Sequence, residues 1–217
     1  MSVSVVVPVF RSENTLGPLC ARLAEVLGRM GEPFEVILVE DGGGDGSWEK
    51  ITQLAASDAR VRGFQLSRNF GQHNAMLCGV RQARYATVVT MDDDLQQPPE
   101  ELPRLISALT PSLDVVYGVP RRMPHGLWRN FTSRITKAAV AAATGVRSIR
   151  DISALRAFRT SLREGFKEFN GPDVSIDALL MWSTKRFGIV EFKRRQRDFP
   201  RVARRAGDPA YFIRRAF

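Results

Sequence analysis

The chain has 217 residues, 44% of them hydrophobic and 25% charged, which is enough for one sizeable core and excludes disorder as the default state. Its two cysteines, Cys20 and Cys78, show no metal-ligand spacing and give no disulfide framework, so a reducing compartment fits best. The net charge of +9 is unevenly divided, with 10 Lys and Arg against 15 Asp and Glu in residues 1–119 and 22 against 8 in residues 120–217. A basic excess of that size calls for a polyanionic partner, and without zinc-ligand sets or a recognition-sheet spacing of aromatics it argues for an anionic membrane surface or substrate phosphates over nucleic acid.

Val3 to Val9 is a continuous β-branched run, as in a strand buried on both faces of a parallel sheet, and Pro8 near its end turns the chain into Phe10-Arg11-Ser12-Glu13-Asn14. Apolar residues at helical spacing predict a helix over Thr15 to Met30, closed by Gly31. Phe34 to Val39 repeats the buried-strand pattern and ends in Glu40-Asp41 and a glycine cluster, Gly42 to Gly46, before a helix over Ser47 to Ser57. A strand over Val61 to Leu66 leads through Ser67 to Gly71 into a helix over Gln72 to Arg84. A fourth strand, Ala86 to Met91, delivers Asp92, Asp93 and Asp94 to its C-terminal end, and Pro98, Pro99 and Glu100 open a helix to Leu109.

Strand, loop and helix repeated four times give an α/β fold, a mostly parallel sheet flanked by helices on both faces. In such folds ligands bind beyond the carboxyl ends of the strands, where Pro8 to Glu13, Glu40 to Asp45, Arg68 to Gly71 and Asp92 to Gln96 all fall. Three adjacent acids repel one another unless solvated or neutralised, and oxygen donors at a turn suit a hard cation such as Mg²⁺ or Mn²⁺. A solvated acidic turn is the plainer reading of the triplet alone. The glycine cluster lacks the Lys-Ser/Thr pair of a P-loop and the G-x-G-x-x-G pattern. Asp41 suits a base ring N–H, while Asp45 and Ser47 read as helix caps.

V-V-V-P-V-F-R-S-E-N (5–14), V-E-D-G-G-G-D-G-S (39–47), S-R-N-F-G (67–71) and M-D-D-D-L-Q-Q-P-P-E (91–100) resemble the inverting family 2 glycosyltransferases of GT-A fold. Among these the likeness is to the polyprenyl-phosphate sugar transferases, the group that includes dolichol-phosphate mannose synthase, and it covers roughly residues 3–195. The resemblance implies that Pro8, Phe10 and Glu13 hold the donor nucleoside, that Asp41 contacts the base and that Arg68 lies near the nucleotide, with Asp93 beside them. It further implies that Asp92, Asp94 and Gln96 hold Mg²⁺ or Mn²⁺ on the diphosphate of a nucleoside diphosphate-sugar. Two departures are visible in the acidic half: Glu40 stands where the family commonly has Asp, and Gly43 and Gly44 replace a usual Ser-Thr pair. The tail departs most, with Arg197 to Ala203 where many relatives have an Arg-x-x-Gly-x-Ser loop.

In the basic half, Leu113 to Tyr117 predicts a fifth strand that runs out at Arg121 and Arg122, and Trp128 to Thr144 predicts an Ala-rich helix. The resemblance implies that Arg121 or Arg122, then Arg129 and Ser133, meet the acceptor phosphate. The last two are four residues apart and so share a helix face, where an Arg fork suits phosphate oxygens. Asp151 to Arg159 resembles the family segment that returns to the sheet beside the reaction centre, which makes Asp151 the candidate carboxylate for orienting or deprotonating the acceptor; a structural ion pair is its other reading. A helix from Gly171 to Lys185 with Ser175 as cap and a strand over Phe187 to Phe192 complete the expected elements, and Leu179 to Trp182 read as core or groove lining. Residues 193–217 hold nine Lys and Arg with Phe199, Tyr211, Phe212, Ile213 and Phe217 among them, a pattern for an anionic membrane surface, a membrane partner or a disordered basic tail.

The expected organisation is one domain over 1–195, with a donor half to residue 119 and an acceptor half after it, then a basic segment over 196–217. The expected function is metal-dependent transfer of a sugar from a nucleoside diphosphate-sugar to a polyprenyl phosphate, with Asp94, Asp151 and Arg129 closest to the chemistry. No apolar run approaches the roughly 20 residues of a membrane span and no leader pattern opens the chain, so the expected place is the cytoplasm, peripheral to the inner face of the cell membrane. Two alternatives stand beside it: a transferase with a soluble glycan or small-molecule acceptor, and a non-catalytic nucleotide-sugar binder.

Overall fold

The computed structural model describes residues 2–121, 154–171 and 175–193. Its frame is one seven-stranded sheet of order β3-β2-β1-β4-β6-β5-β7. The strands are β1 (Val3–Val9), β2 (Phe34–Glu40), β3 (Val61–Gln65), β4 (Thr87–Thr90), β5 (Val115–Pro120), β6 (Arg156–Arg159) and β7 (Phe187–Phe192). β1 pairs in parallel with β2 and β4, and β2 with β3; β6 runs antiparallel between β4 and β5, and β5 pairs in parallel with β7. Two antiparallel steps restore direction, so β1 to β5 and β7 all present their carboxyl ends at one edge of the sheet.

The helices are α1 (Glu13–Gly28), α2 (Ser47–Ser57), α3 (Gln72–Gln82), α4 (Leu102–Ser107) and α5 (Ile176–Ser183). Every residue of β1 and β2 is buried because alternate side chains enter different cores. Val5, Val7, Val36 and Leu38 pack with Leu16, Leu19 and Leu23 of α1 and Leu102 of α4, while Val6, Ile37 and Val39 pack with Ala75, Met76 and Val80 of α3 and Leu180 of α5. α3 lies against the sheet at Gly79, where a Cβ would run into the Val6 side chain.

Most expected elements sit within two residues of their predicted bounds, since a buried parallel strand and a one-faced helix each write a clear period. The helix expected over Pro99 to Leu109 is divided into a 3-10 turn, Pro99–Glu101, and the short α4. The fifth strand begins at Val115 instead of Leu113, because Asp114 is taken by Arg186 and the N–H groups of Asp114 and Val115 both go to the Arg186 carbonyl. Ser175 caps α5 as expected, its hydroxyl accepting the Ala178 N–H. Trp182, expected as core or groove lining, is 88% exposed on α5 while Leu180 carries the buried contact. Among the described residues no helix is long and apolar enough to cross a membrane.

Candidate active site at the carboxyl edge of the sheet

The loops after β1, β2, β3 and β4 meet at the shared carboxyl edge, tied to one another by side chains and backbone. Glu40 and Asp41 are both buried, and each closes a loop: Glu40 Oε1 accepts the Gly43 N–H at 2.5 Å, while Asp41 accepts the N–H groups of Phe70 at 2.7 Å and Gly71 at 3.0 Å. Gly42 has φ +63, and a Cβ there would strike the backbone of Arg68 and Asn69, so the loops after β2 and β3 approach as closely as backbones can. Asp45 turns back on Ser47, accepting its N–H at 3.3 Å and its hydroxyl at 2.9 Å, and Ser47 Oγ in turn accepts the Ser12 N–H at 2.9 Å. The N-cap position of α2 is Gly46, which has no side chain to cap with, so Asp45 and Ser47 do not form the expected helix cap and instead fasten the β1 loop to the start of α2.

The acidic turn is held just as firmly. Asp92 Oδ1 accepts from Gln72 Nε2 at 2.6 Å and Oδ2 from Gln97 Nε2 at 2.9 Å, while the Asp92 N–H donates to Gln97 Oε1 at 2.9 Å. Asp93 reaches the first loop, where Oδ2 accepts the Phe10 N–H at 3.1 Å. Burial pushes the Asp93 carboxyl up to about 6, against its bonds to Ser12 and Phe10 and with the help of the charges on Asp92 and Asp94. Asp94 Oδ1 accepts the Gln96 N–H at 3.1 Å. Between them Leu95 is buried at φ +59, a left-handed backbone that costs a bulky residue on the order of 1–2 kcal/mol. Its companion is Arg11 at φ +56, whose Nε donates to the Gly43 carbonyl at 2.9 Å. Among the described residues these are the non-glycine positions with positive φ, and both lie in loops of this edge.

Of the predicted donor residues, Phe10, Glu13, Asp41, Arg68, Asp92, Asp93, Asp94 and Gln96 all occur on these loops or at their junctions with helices, while Pro8 is buried within β1. The Glu13 carboxylate lies against Gly46. The Arg11 guanidinium stacks over the Phe10 ring at 5.2 Å and that of Arg68 over Phe70 at 4.7 Å. On the acceptor side Arg121 lies at the carboxyl end of β5, exposed and 3.6 Å from Glu191. Arg122, Arg129, Ser133 and Asp151 lie outside the described residues.

Asp92, Asp94 and Gln96 offer two carboxylates and a carboxamide, all hard oxygen donors of the kind Mg²⁺ and Mn²⁺ take. The donor chemistry fits such an ion. Among the described residues no group of three or more His, Cys, Asp or Glu side chains is arranged to hold a metal, so further coordination positions would have to come from the amide oxygen, a bound diphosphate or water.

Sequence reasoning passed over several residues here. Gln72 and Gln97 hold Asp92, yet Gln72 lies in no motif and Gln97, although inside the 91–100 motif, carried no expected role. Beneath the edge, Arg156 on β6 is 2% exposed and donates from an Nη to Asp177 Oδ1 at 2.6 Å, an oxygen that also accepts the Tyr117 hydroxyl at 3.0 Å. Among the described residues Arg156 Nε is the buried side-chain nitrogen or oxygen with no hydrogen-bond partner. His73 joins this cluster by accepting the Ile176 N–H on Nδ1 at 3.4 Å, and burial, then the Arg156 charge, hold its pKa below the usual histidine value against the pull of Asp177.

The chain matches the family model for Glycosyl transferase family 2 over residues 4–216. An undecaprenyl-phosphate 4-deoxy-4-formamido-L-arabinose transferase from Pseudomonas aeruginosa (strain LESB58) is 40% identical over 164 residues, which are 75% of this chain and 48% of that protein. Its namesake from Yersinia enterocolitica is 33% identical over 199 residues, 91% of this chain and 61% of that protein. The chain thus spans about half the length of the curated relatives it matches. Among solved structures, a mannosyl-3-phosphoglycerate synthase from Rubrobacter xylanophilus superposes with a TM-score of 0.64 at 15% identity, covering 91% of this chain and 68% of that one. A mannosyltransferase from Pyrobaculum calidifontis, solved with GDP-Man and Mn²⁺, gives 0.60 at 21% identity, covering 98% and 60%. At those identities the likeness is one of fold.

Proposed function

Because the chain belongs to glycosyltransferase family 2 and has the GT-A fold, we propose that it moves a sugar from a nucleoside diphosphate donor to a polyprenyl phosphate, inverting the anomeric carbon. The observation that carries this reading is that the strand-end loops are tied together beside the acidic turn, through hydrogen bonds from Phe10 to Asp93, from Phe70 and Gly71 to Asp41 and from Gln72 to Asp92. The acceptor class is supported by the names of the relatives, undecaprenyl-phosphate sugar transferases at 33–40% identity.

In this reading an oxygen of the acceptor phosphate attacks the anomeric carbon. The bond from that carbon to the diphosphate breaks and the nucleoside diphosphate leaves with the electron pair. A phosphate acceptor is already ionised near neutral pH, so no strong base is needed, and Asp151 would orient the nucleophile. Asp92, Asp94 and Gln96 would hold Mg²⁺ or Mn²⁺, which when bound supplies Lewis-acid stabilisation of the charge that grows on the leaving diphosphate.

The chain's own groups do the rest. Asp41 would contact the base while also binding the Phe70 and Gly71 N–H groups, since a carboxylate offers about four acceptor sites. Phe10, Glu13 and Arg68, with Pro8 shaping the strand end, would enclose the nucleoside. Arg121, with Arg122, Arg129 and Ser133, would gather the acceptor phosphate by forked hydrogen bonds. The reaction would take place at a membrane surface, where the lipid acceptor resides. Residues 1–119 would form its donor half and 120–195 its acceptor half. A thermal-shift screen of nucleoside diphosphate-sugars with Mn²⁺ tests the donor assignment, because a ligand that binds the folded chain raises its apparent stability. A rise with at least one donor is expected; no rise with any of them contradicts the reading.

A further inference from the structure

Asp92 is held by two carboxamides of unequal standing. Gln97 is 3% exposed and clasps Asp92 at two points, its Oε1 accepting the backbone N–H and its Nε2 donating to Oδ2, both at 2.9 Å. One side chain thus fixes the carboxylate against its own backbone and sets its orientation. Gln72 is exposed and makes a single bond, from Nε2 to Oδ1 at 2.6 Å. That bond takes lone-pair capacity from the oxygen that Gln97 leaves alone.

A hard cation binds a carboxylate through those same lone pairs. An N–H aimed at the oxygen competes with it, whereas an N–H on the other oxygen holds the ligand ready. The backbone around Gln72 does not depend on its side chain, because the N–H groups of Phe70 and Gly71 are already bound by Asp41.

We infer that the two glutamines set cation affinity in opposite directions, Gln97 raising it by holding Asp92 in one orientation and Gln72 lowering it by occupying Asp92 Oδ1. This rests on the reading above that Asp92 and Asp94 hold a divalent cation. Neither glutamine is itself a ligand; Gln97 is a positioning residue and Gln72 a competitor.

The test is Mn²⁺ affinity of the full chain with saturating UDP and, separately, GDP, followed by the electron paramagnetic resonance signal of free Mn²⁺. Gln97→Ala should weaken binding by about tenfold or more, the usual effect of removing a partner that orients a metal ligand. Gln72→Ala should tighten it by roughly fivefold, the size of one exchanged hydrogen bond. Circular dichroism and thermal unfolding show whether the variants are folded. Gln97→Met, which keeps the buried volume, replaces the alanine variant if that does not fold. A merely structural role for Gln97 would change unfolding and leave Mn²⁺ affinity of the folded protein alone, which overturns the inference. So does a Gln72→Ala protein that binds Mn²⁺ no more tightly than the parent. In both cases the parent's own Mn²⁺ binding keeps the cation site standing. A parent that binds no Mn²⁺ with either nucleotide overturns the cation reading and the inference with it.

Discussion

The Asp41 carboxylate accepts the backbone N–H of Phe70 at 2.7 Å, a bond that crosses from the end of β2 to the loop after β3. The same carboxylate takes the Gly71 N–H, so a residue expected to contact a base also fastens the loop beside it. Asp41→Asn keeps the shape but sets an NH₂ group against one of those N–H donors. Because Asp41 is buried, the variant should lose about 1–3 kcal/mol of stability, the cost of a buried donor left without its partner. Urea unfolding would show that loss together with weaker nucleotide binding. Weaker binding at unchanged stability would contradict the fastening role.

Arg156 and Asp177 form an ion pair with exposures of 2% and 15%. Asp177→Ala would leave the arginine buried and uncompensated, a change that costs about 3–5 kcal/mol. Replacing both, as Arg156→Met with Asp177→Asn, should recover most of that, because the buried charge leaves with its partner. Thermal unfolding of the single and double variants checks the order, and equal stabilities would contradict it.

His73 accepts the Ile176 N–H on Nδ1 and so must be neutral at that nitrogen. Burial lowers its pKa first and the facing Arg156 adds to this, while Asp177 opposes. A folded pKa below the ordinary value near 6.5 means the stabilising contribution is complete above that value and is lost as pH falls through the folded one. NMR titration of the two histidines should find His73 titrating below pH 6.5. A normal or raised value would contradict the contact.

Asp114 lies between Arg186 and Arg159, with Arg186 Nε at 2.8 Å and Thr184 Oγ1 at 2.6 Å. The hydrogen bonds from Arg186, then Thr184, hold its carboxyl below the usual carboxylate range against the effect of burial. A depressed folded pKa contributes stability above the unfolded value near 3.9 that disappears as pH falls toward the folded one. Asp114→Asn should therefore be less stable at neutral pH and lose less stability between about pH 5 and 2. Parallel pH profiles for the two proteins would contradict this.

These residues mark where the sequence could be read and where it could not. Val3 to Val9 and Phe34 to Val39 announced buried strands because both cores want apolar side chains, and the loops they feed could be placed at one edge from topology alone. The antiparallel strand Arg156–Arg159 could be assigned to the sheet only by resemblance, since four residues carry too short a period to fix direction or neighbours. Asp92 and Asp94 stood out because three acids in a row demand a reason. Gln72 and Gln97 did not, because a carboxamide becomes informative only when its partner is known, and here the partner lies twenty residues away or across a turn. Arg156 lay in the segment that resembles the family, but its pairing with Asp177 was hidden for the same reason, as charges usually face solvent and nothing local says that these two meet beneath it.

The central claim is that Asp92 and Asp94 anchor a nucleotide-sugar whose sugar passes to a lipid phosphate. The most direct measurement is nucleoside diphosphate release by the full chain with Mn²⁺, the donor identified by thermal shift and a short polyprenyl phosphate, set beside the same assay with free sugars and with an Asp94→Asn variant of unchanged circular dichroism. The account predicts release with the polyprenyl phosphate, none above background with free sugars, and loss of both release and Mn²⁺-dependent nucleotide binding in the variant. Release with free sugars but not with the lipid, or an Asp94→Asn protein that still binds nucleotide in a Mn²⁺-dependent way, would contradict it.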